Sequence, residues 1–288
     1  MNVGKVSENI LKRSVLKNIK SNKNIKNDKS AFAGADCAFF TGIVTDEEAE
    51  CCGRHALLRA CNNAWAAGMT PESGSVIILL PEKLREIKLK AIAKDVGMMA
   101  ERLNVKILDG HTEVVGGIIF PIVTVNIFAR KIAGWQEEKA ANGQYIVMTK
   151  WIGMSGGARL AAMYRDRLLT RYPAFIMEET EALEQFYSIE KEAAEAVKTY
   201  AVCMNDCSDG GIFAALWQLG DKNCVGLEVN LKDIPVRQET IEVCEFFDIN
   251  PYKLRSDGAL LIVTGKPEEL IEALHKQDIN ATVIGRIT

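Results

Sequence analysis

The sequence predicts a two-domain α/β protein with mixed sheets and helices packed against them. Three observations predict this class. Strand-like apolar runs alternate with segments whose apolar residues recur at helical spacing. The 288 residues are too many for one average core and suit two domains of about 100 to 150 residues each. A polar stretch at 134–143 divides the halves, so we expect domains over residues 1–133 and 143–288.

Composition favours a soluble globular protein, with 48% apolar and 25% charged residues. Uncharged apolar runs stay shorter than the roughly 18 residues that a membrane helix needs. Lys12 and Arg13 interrupt the N-terminal apolar residues, which does not fit a signal peptide. The eight cysteines contain no Cys-x-x-Cys pair, so neither a disulfide framework nor structural zinc is expected. We therefore expect a cytoplasmic protein without a membrane partner.

Positive charge is concentrated at the start of the chain. Residues 1–30 hold eight Lys or Arg against Glu8 and Asp28, a balance of +6; the whole chain carries −3, which leaves −9 for the rest. A basic arm of this kind can bind nucleic acid. The arm has no aromatic residue to stack on bases. We therefore expect a solvated face and a linker rather than a nucleic-acid partner.

The first elements are predicted from spacing and from helix signals. The first 20 residues predict a helix whose inner side carries Ile10, Leu11, Val15 and Ile19. Residues 38–44 predict a strand rich in aromatic and β-branched residues. Thr45 and Glu48 fit a capping box that starts a helix ending near Ala67. This helix carries a ridge of small residues that would let another backbone pack closely: Ala49, Gly53, Ala56, Ala60, Ala64 and Ala67.

The remaining elements follow the same alternation. A helix from Pro81 has core-facing Leu89, Ile92, Val96, Met99 and Leu103. Strands are predicted at 76–80, 105–108, 118–129, 145–149, 201–204, 225–229, 259–264 and 282–287. Further helices are predicted at 158–169, 175–186, 189–200 and 212–219. Each half would then contain a mixed sheet covered by helices on one face.

The segment Asp109-Gly110-His111-Thr112-Glu113 is predicted as a short polar loop between two apolar strands. Loops that rigid strands position carry many binding groups, and this one offers two carboxylates, an imidazole and a hydroxyl. A solvated connection without function explains it equally well. The pair His111-x-Glu113 resembles part of the zinc deaminase signature, but no Pro-Cys-x-x-Cys follows to supply thiolates, so that hypothesis fails.

Two glycine-rich turns precede predicted helices. The segment Gly153-Met154-Ser155-Gly156-Gly157 follows the strand at 145–149, and Asp209-Gly210-Gly211 follows the strand at 201–204. Such turns expose backbone N–H groups, and the helix N-terminus adds partial positive charge, so both favour phosphate. The first turn is neither a P-loop nor the dinucleotide-binding fingerprint, because its glycines have a different spacing.

Seven segments in order resemble the AIR synthetase superfamily, which includes PurM, HypE, SelD and ThiL. They are Gly4-Lys5-Val6, Gly34-Ala35-Asp36, Cys61-Asn62-Asn63-Ala64, Gly110-His111-Thr112-Glu113-Val114, 153–158, 204–211 and 255–261. The nearest resemblance is to the AIR synthase-related, HypE-like branch, over almost the whole chain. It implies a PurM-like architecture in which the N-terminal domains pair into a β-barrel homodimer and an α/β domain follows.

The resemblance also implies a function. ATP and Mg²⁺ would bind between the domains near the dimer interface, and ATP would activate an oxygen of a small-molecule or protein-bound substrate. The implied catalytic residues are His111, Asp206 and Asp209, and the implied metal ligands are Asp36, Asp109 and Glu113. The implied nucleotide ligands are Lys5, Asp36, Asn62, Asn63, Asp109, Gly110, Thr112, Glu113, Gly153, Ser155, Gly156, Gly157, Gly210 and Gly211.

The sequence departs from the family pattern at several acids. Ala35, Asn63 and His111 stand where relatives carry carboxylates, and Mg²⁺ prefers oxygen ligands. We therefore expect a weakened metal site in which Asp109 and Glu113 compensate. The alternative is a catalytically degenerate nucleotide sensor of the same fold. Because no cysteine follows Cys244, we do not expect carbamoyl dehydration on a C-terminal thiol. The substrate stays open, as does whether ATP is cleaved.

Overall fold

The computed structural model describes residues 36–45 and 51–288, and these form two sheets with helices around them. Sheet 1 contains four strands: β1 (Cys37–Val44), β2 (Met69–Pro81), β3 (Lys106–Val115) and β4 (Ile122–Lys131). Two helices belong to this half: α1 (Cys52–Ala66) and α2 (Glu86–Arg102). The predicted N-terminal helix and the start of the predicted capping box helix lie outside the described residues.

Sheet 1 is mixed, in the order β1-β4-β2-β3, with β2 and β3 parallel and the other pairs antiparallel. Strand β4 alternates between buried and half-buried positions, as a sheet with one packed face does. The small-residue ridge of α1 lies against this face. A Cβ added at Gly42 on β1 would lie 2.1 Å from the Ala56 carbonyl oxygen of α1. The predicted close backbone packing along the ridge is confirmed.

Strand β3 corrects one prediction. Residues 109–113 were expected to form a loop, but they continue β3 in parallel register with β2, from Ser75 opposite Asp109 to Leu79 opposite Glu113. All residues of β3 up to Val114 are exposed. The strand lies at the edge of sheet 1, so neither of its faces needs the apolar alternation that would have identified it. Backbone pairing with β2 holds it in place.

Sheet 2 contains five antiparallel strands in the order β6-β8-β5-β9-β7. They are β5 (Tyr145–Thr149), β6 (Ala201–Asp206), β7 (Leu227–Val229), β8 (Leu260–Thr264) and β9 (Ala281–Ile287). The helices of this half are α3 (Met154–Met163), α4 (Arg165–Leu168), α5 (Ala174–Ala182), α6 (Glu190–Lys198), α7 (Gly211–Asn223), α8 (Gln238–Phe247) and α9 (Pro267–His275). The sequence did not predict α8 or α9.

Both faces of sheet 2 are buried, whereas one covered face was expected. On β8, Leu260 and Ile262 pack into a core that also contains Leu57 and Trp65 of α1. Leu261 of β8 packs into a separate core with residues of α7. The strands therefore read as continuous apolar runs rather than as alternating ones, and that pattern is typical of a sheet covered twice. The larger core joins the two halves of the chain.

Within residues 36–45 and 51–288, no helix is long and apolar enough to cross a bilayer.

Candidate functional site

Helix α1 carries a polar stripe into the junction between the two halves. His55, Arg59 and Asn62 follow one another at spacings of four and three residues, which places them on one helix face. Arg59 is 7% exposed and Asn62 is fully buried. Buried polar groups of this kind need partners. Each of the three has a partner in the second half of the chain, so the stripe ties the two halves together.

Arg59 forms an ion pair with Asp257 across the junction, with 3.2 Å between Nε and Oδ1. Its Nη1 donates a second hydrogen bond, of 3.0 Å, to the Ile43 carbonyl oxygen. The Asp257 backbone N–H donates to Ser155 Oγ at 3.0 Å. Burial would raise the pKa of Asp257, but the positive charges of Arg59 and Arg255 outweigh it, and the pKa is lowered. Asp257 is therefore a buried carboxylate held ionised by its neighbours.

Asp206, at the end of β6, lies close enough to Asp257 for the two carboxyl groups to interact electrostatically. Burial, and then the negative charge of Asp257, raise the pKa of Asp206 to about 7, while hydrogen bonds from Ser208 oppose that rise. Asp206 Oδ1 and Asp257 Oδ2 are buried without a hydrogen-bond partner among the described residues. A carboxyl group with a pKa near 7 can both release and accept a proton at neutral pH.

Asn62 binds the chain segment that connects α5 to α6. Its Nδ2 donates to the Tyr187 carbonyl oxygen at 2.7 Å, and its Oδ1 accepts from the Ile189 backbone N–H at 3.2 Å. Both ends of the amide therefore have protein partners. The sequence predicted Asn62 as a nucleotide ligand, and that role stays a prediction; the structure gives it a contact between the two halves.

Lys150 holds the same segment from the other side. Its Nζ lies 2.6 Å from Glu192 Oε1 and donates to the carbonyl oxygens of Phe186 and Ser188 at 2.8 and 2.6 Å. Burial lowers the pKa of Lys150, and the charge of Glu192 opposes that shift. Lys150 and Asn62 together fix residues 186–189 between the two sheets.

A second charged group lies at the rim of the junction. Arg54 of α1 binds Glu184 through its guanidinium and also contacts Asp95 Oδ1 at 3.0 Å. His55 Nε2 lies 3.4 Å from Glu184 Oε1. Burial would raise the pKa of Glu184, but hydrogen bonds from His55 and Arg54 lower it to about 2. Glu184 is therefore an anion at any physiological pH and holds α1 against the second half.

The junction encloses a small cavity lined by His55, Leu58, Arg59, Asn62, Tyr187 and Asp257. Its volume is about 10 Å³, and a single water needs roughly that much space. A substrate does not fit there in this arrangement of the two halves. Any small molecule that reaches Arg59 and Asp257 must enter from the rim or move the halves apart.

The predicted turn at Gly153–Gly157 forms the start of α3 rather than a separate loop. Gly153 is the N-cap residue, with φ of 72°, a conformation that glycine adopts easily. The backbone N–H groups of Gly153 and Gly156 donate to Ser256 Oγ and to the Arg255 carbonyl oxygen. A Cβ at Gly156 would lie 2.3 Å from Leu254 Cγ. The described contacts give Gly156 a packing role, and phosphate binding there stays a prediction.

The second glycine turn packs on the same loop, residues 252–257. A Cβ at Gly211 would lie 2.5 Å from the Tyr252 carbonyl oxygen, and Arg255 Nε donates to Asp209 Oδ1 at 2.9 Å. The fold therefore gathers both glycine turns, Asp206 and Asp209 around one loop that ends in Asp257. This half of the predicted site is brought together within a single chain.

The predicted site residues of sheet 1 lie on edge strand β3. Asp109, His111 and Glu113 share its outer face, opposite Ser75, Ile77 and Leu79 of β2. His111 Nε2 and Glu113 Oε2 are 3.1 Å apart, and both side chains are about 60% exposed. Asp109 Oδ1 accepts from the Gly110 backbone N–H at 2.8 Å. Gly110 and Thr112 occupy the alternate face of the strand, the one nearer the helices.

A polar row crosses the outer face of sheet 1. The register places Thr41 of β1, Asn126 of β4, Ser75 of β2 and Asp109 of β3 side by side. Thr41 Oγ1 donates to Asn126 Oδ1 at 2.8 Å, and Asn63 Nδ2 donates to the Thr41 carbonyl oxygen at 3.1 Å. Asn63 therefore reaches one end of the row from α1.

Asp36 lies far from the β3 residues. It precedes β1, and its carbonyl oxygen accepts from the Lys131 backbone N–H at 2.7 Å. The register separates it from Asp109 by five residues along the strands and three strands across. These steps correspond to about 16 Å and about 14 Å. One chain does not bring Asp36 and Asp109 together, and Lys5 lies outside the described residues.

Reasoning from the sequence missed Arg59, Lys150 and Asp257 as site residues. The spacing of His55, Arg59 and Asn62 on a helix of small residues could have indicated a polar stripe. Asp257 lies within the 255–261 segment that resembles the family, but the sequence shows neither its burial nor its partner. Lys150 carries no local signal, because a single lysine after a strand is ordinary in a surface turn.

The fold and the junction define a two-domain mixed α/β protein whose halves share a buried charged interface. The model of the AIR synthase related protein C-terminal domain matches residues 141–288, and the model of the AIR synthase related protein N-terminal domain matches residues 18–130. The chain belongs to the AIR synthase related family. The resemblance in the sequence is thereby confirmed, together with the two-sheet α/β fold.

Curated relatives include hydrogenase maturation proteins. A hydrogenase expression/formation protein of Methanocaldococcus jannaschii is 24% identical over 243 residues, covering 82% of this chain and 70% of that protein. Carbamoyl dehydratase HypE of Rhizobium leguminosarum bv. viciae is 23% identical over 244 residues, covering 82% of this chain and 67% of the relative.

Solved structures share the fold at low identity. A HypE–HypF complex matches with a TM-score of 0.76 and 20% identity, covering 91% of this chain and 87% of that chain. HypE in complex with ATP matches with a TM-score of 0.70 and 17% identity, covering 99% and 87%. ThiL complexed with AMPPCP and TMP matches with a TM-score of 0.69 and 19% identity, covering 87% and 80%.

Proposed function

We propose that this protein binds ATP and uses it to activate an oxygen of a small-molecule or protein-bound substrate. One observation carries the proposal: Arg59, Asp206 and Asp257 gather at the junction, beside both glycine turns. Charged groups with a perturbed pKa at a domain junction are typical of reaction sites. Further support comes from relatives of the same fold whose solved structures contain ATP or AMPPCP.

The roles of the junction residues follow from their charges. When a substrate oxygen attacks the terminal phosphorus of ATP, the bond from that phosphorus to the bridging oxygen breaks and ADP leaves, so the protein mainly has to position both groups and offset negative charge. Arg59 supplies positive charge from α1, and Asp206, with a pKa of about 7, exchanges a proton with a substrate that enters from the rim or moves the two halves apart. Asp209 remains paired with Arg255 and so orients the loop that carries Asp257.

The nucleotide end of the site needs a second copy of the chain. Asp36 lies beside β1 and the group Asp109, His111 and Glu113 lies on β3, at the two opposite edges of sheet 1. A free edge offers unpaired backbone groups to another strand. Pairing of the β1 edge with the β3 edge of a second copy would bring these side chains to one place and build the proposed β-barrel homodimer.

The described residues of one chain offer few ligands for Mg²⁺. Among residues 36–45 and 51–288, no three Asp, Glu, His or Cys side chains are grouped so that they could hold a metal ion. The described part of one chain therefore does not fit a protein-held Mg²⁺, and no catalytic step here depends on one. Single carboxylates from two copies, together with nucleotide phosphates, would be the ligands that remain.

A pair of matched variants tests the proposal. Leu108 on β3 is 72% exposed and Ile87 on α2 is 62% exposed, so arginine at either position keeps the fold. We expect Leu108→Arg to abolish the dimer in sedimentation runs and to weaken ATP binding in calorimetry, whereas Ile87→Arg changes neither. At 100 times Kd, ATP should stabilise the unaltered protein by about 2.7 kcal/mol, a rise in Tm of about 5 to 10 °C.

The absence of binding heat at millimolar ATP with Mg²⁺ would overturn the proposed function. Equal ATP affinity in all three proteins, with a dimer lost only in Leu108→Arg, would instead place the nucleotide within one chain. The two outcomes are separated by the same titrations, because oligomeric state and binding are measured independently.

A nucleotide sensor without catalysis is the second candidate. Asn63 and His111, which replace family acids with side chains that carry no carboxylate, favour it, as does the cavity of about 10 Å³ at the junction. Steady phosphate release distinguishes the two: turnover supports an enzyme, and ATP binding without turnover supports a sensor. Under the sensor hypothesis, Asn63→Asp combined with His111→Asp should raise Mg²⁺ affinity, because carboxylates attract the cation more strongly.

A further inference from the structure

A wide apolar groove lies between helix α7 and strand β7. Its volume is about 830 Å³, and it is lined by Phe213, Leu216, Trp217, Gly220, Asp221, Cys224, Val225, Leu227, Val229 and Leu231. None of the proposed site residues is in this lining. Trp217 and Leu231 are 51% and 45% exposed. A contiguous exposed apolar surface of this kind indicates a place where another element docks.

The groove has the shape that receives a helix. On one side, Phe213, Trp217, Gly220 and Cys224 recur along α7 at spacings of four, three and four. The opposite side is formed by alternate residues of the chain from Val225 to Leu231. The twelve residues from Phe213 to Cys224 correspond to a length of about 16 Å between the first and the last Cα.

The sequence offers an element of matching length. Its predicted N-terminal helix carries an apolar stripe of Ile10, Leu11, Val15 and Ile19. The stripe spans ten residues, which corresponds to about 14 Å between the first and the last Cα of a helix. These residues lie outside the described part of the chain. An amphipathic helix places such a stripe in an apolar groove when it binds.

The path of the chain allows this contact. Asp36, where the description of the chain begins, is hydrogen-bonded to Lys131. Six residues later, Glu137 forms an ion pair with Lys222 near the end of α7. Six residues span at most about 21 Å, and the hydrogen bond to Asp36 and the side chains of Glu137 and Lys222 add about 15 Å, so Asp36 lies within about 36 Å of the end of α7. The 17 residues from Lys20 to Asp36 can extend to about 55 Å.

Charge also favours this occupant. Residues 1–30 carry +6, and the rest of the chain carries −9, since the total is −3. Within the described lining of the groove, Asp221 is the one charged residue. A basic segment is therefore attracted to the rest of the protein and meets no positive charge in the groove.

We propose that the groove between α7 and β7 binds residues 10–19 of the same chain as an amphipathic helix. The groove would thus be covered by the N-terminal segment and not by a foreign protein. The contact would also place the basic residues between Ile10 and Asp36 next to the acidic second half. This inference does not depend on nucleotide binding.

Cys224 provides a native reporter, because it lines the groove and is exposed when the groove is open. Leu11→Glu with Val15→Glu should release the segment and speed alkylation of Cys224. The rise should be about tenfold if the groove is covered nine-tenths of the time. Asn9→Glu with Lys20→Gln is the control, because it changes the net charge by the same −2 on the opposite helix side. The rate is read by mass spectrometry of the Cys224 peptide.

Equal Cys224 rates in the three proteins would overturn the proposal. Protection that falls on dilution of the unaltered protein would show a second copy in the groove and would overturn it as well. Trp217→Ala gives the converse test, because it weakens the groove without touching the segment. It should speed trypsin cleavage within residues 12–29, whereas Met98→Ala, at an exposed position of α2, should not; unchanged cleavage in Trp217→Ala counts against the contact.

Discussion

The junction between the two sheets and the free edge of sheet 1 differ in how completely one chain builds them. At the junction, Arg59 and Asp257 are buried and paired with each other at 3.2 Å. At the edge, His111 and Glu113 are paired at 3.1 Å but remain about 60% exposed. Exposed pairs contribute little, whereas buried ones must be satisfied. The difference indicates that residues 36–45 and 51–288 complete the junction, whereas they leave the pair on β3 exposed to solvent.

The largest expected effect comes from removing one charge of the junction. Arg59→Met leaves Asp257 buried without its main cation, and we expect a loss of about 3 to 5 kcal/mol in the free energy of unfolding. Urea denaturation measures it. Arg130→Met is the matched control at sheet 1, because its partner Glu72 is exposed, and it should shift the midpoint far less. Similar shifts for both variants would remove the distinction between junction and edge.

The pH dependence of stability should identify Asp206. Its pKa is raised from 3.8 to about 7 in the folded protein, so between these values the folded state holds a proton that the unfolded state has released. Folding stability contributed by this group therefore falls as pH rises from about 4 to about 7 and is constant above. The loss amounts to a few kcal/mol at most. Asp206→Asn should flatten this part of the curve.

Glu184 gives the opposite sign within the same junction. Its pKa is lowered to about 2 from 4.5, so its contribution is present above pH 4.5 and is lost as pH falls toward 2. Denaturation curves at each pH for the unaltered protein, Asp206→Asn and Glu184→Gln separate the two groups. A slope between pH 4 and 7 that Asp206→Asn leaves unchanged would contradict the assignment.

Two adjacent asparagines allow a finer test. Asn62→Ala removes the two buried hydrogen bonds that the amide forms with the Tyr187 carbonyl oxygen and the Ile189 backbone N–H, which should cost about 2 to 4 kcal/mol. Asn63→Ala removes one hydrogen bond, to the Thr41 carbonyl oxygen, at a more exposed position. In thermal unfolding, we expect the Tm of Asn62→Ala to be well below the Tm of Asn63→Ala. ATP affinity measured by calorimetry should depend more on Asn63, and the reverse order would restore Asn62 as a nucleotide ligand.

The smallest effect concerns glycine packing. A Cβ at Gly156 would meet Leu254 Cγ at 2.3 Å, so Gly156→Ala should destabilise by about 1 to 3 kcal/mol. At Gly97 of α2, a Cβ meets nothing within 4 Å, and alanine there should stabilise by about 0.5 to 1 kcal/mol. Chemical denaturation compares the two. Stabilisation by both substitutions would mean that loop 252–257 moves at little energetic cost to make room for the added Cβ.

The fold class could be predicted because the apolar runs are long and their spacing is regular. A ridge of small residues identified the helix that follows β1, and the close contact of Gly42 with Ala56 confirmed the role of that ridge. The full length of strand β3 was not predicted, because an exposed edge strand has no buried face that would require alternating apolar residues. Helix α9 was not predicted, because Pro267 and the acidic residues after it were not interpreted as the start of a helix.

The candidate site likewise contains parts that the sequence predicted and parts that it did not. Gly153–Gly157 and Asp206–Gly211 were recognised as segments, and the fold does place both around loop 252–257. Their partners could not be predicted, because contacts such as Arg59 with Asp257 join residues 198 positions apart. The distance between Asp36 and Asp109 depends on strand order, and the sequence alone does not determine that order. The proposed roles of these residues stay predictions.

The core shared by both halves has a consequence for how the molecule comes apart. Leu57 and Trp65 belong to the same buried cluster as Leu260 and Ile262, so neither half keeps its interior when the other melts. We expect one calorimetric peak rather than two. Fragments cut near residue 138 should regain structure only when mixed, and each half would then serve as the folding template of the other.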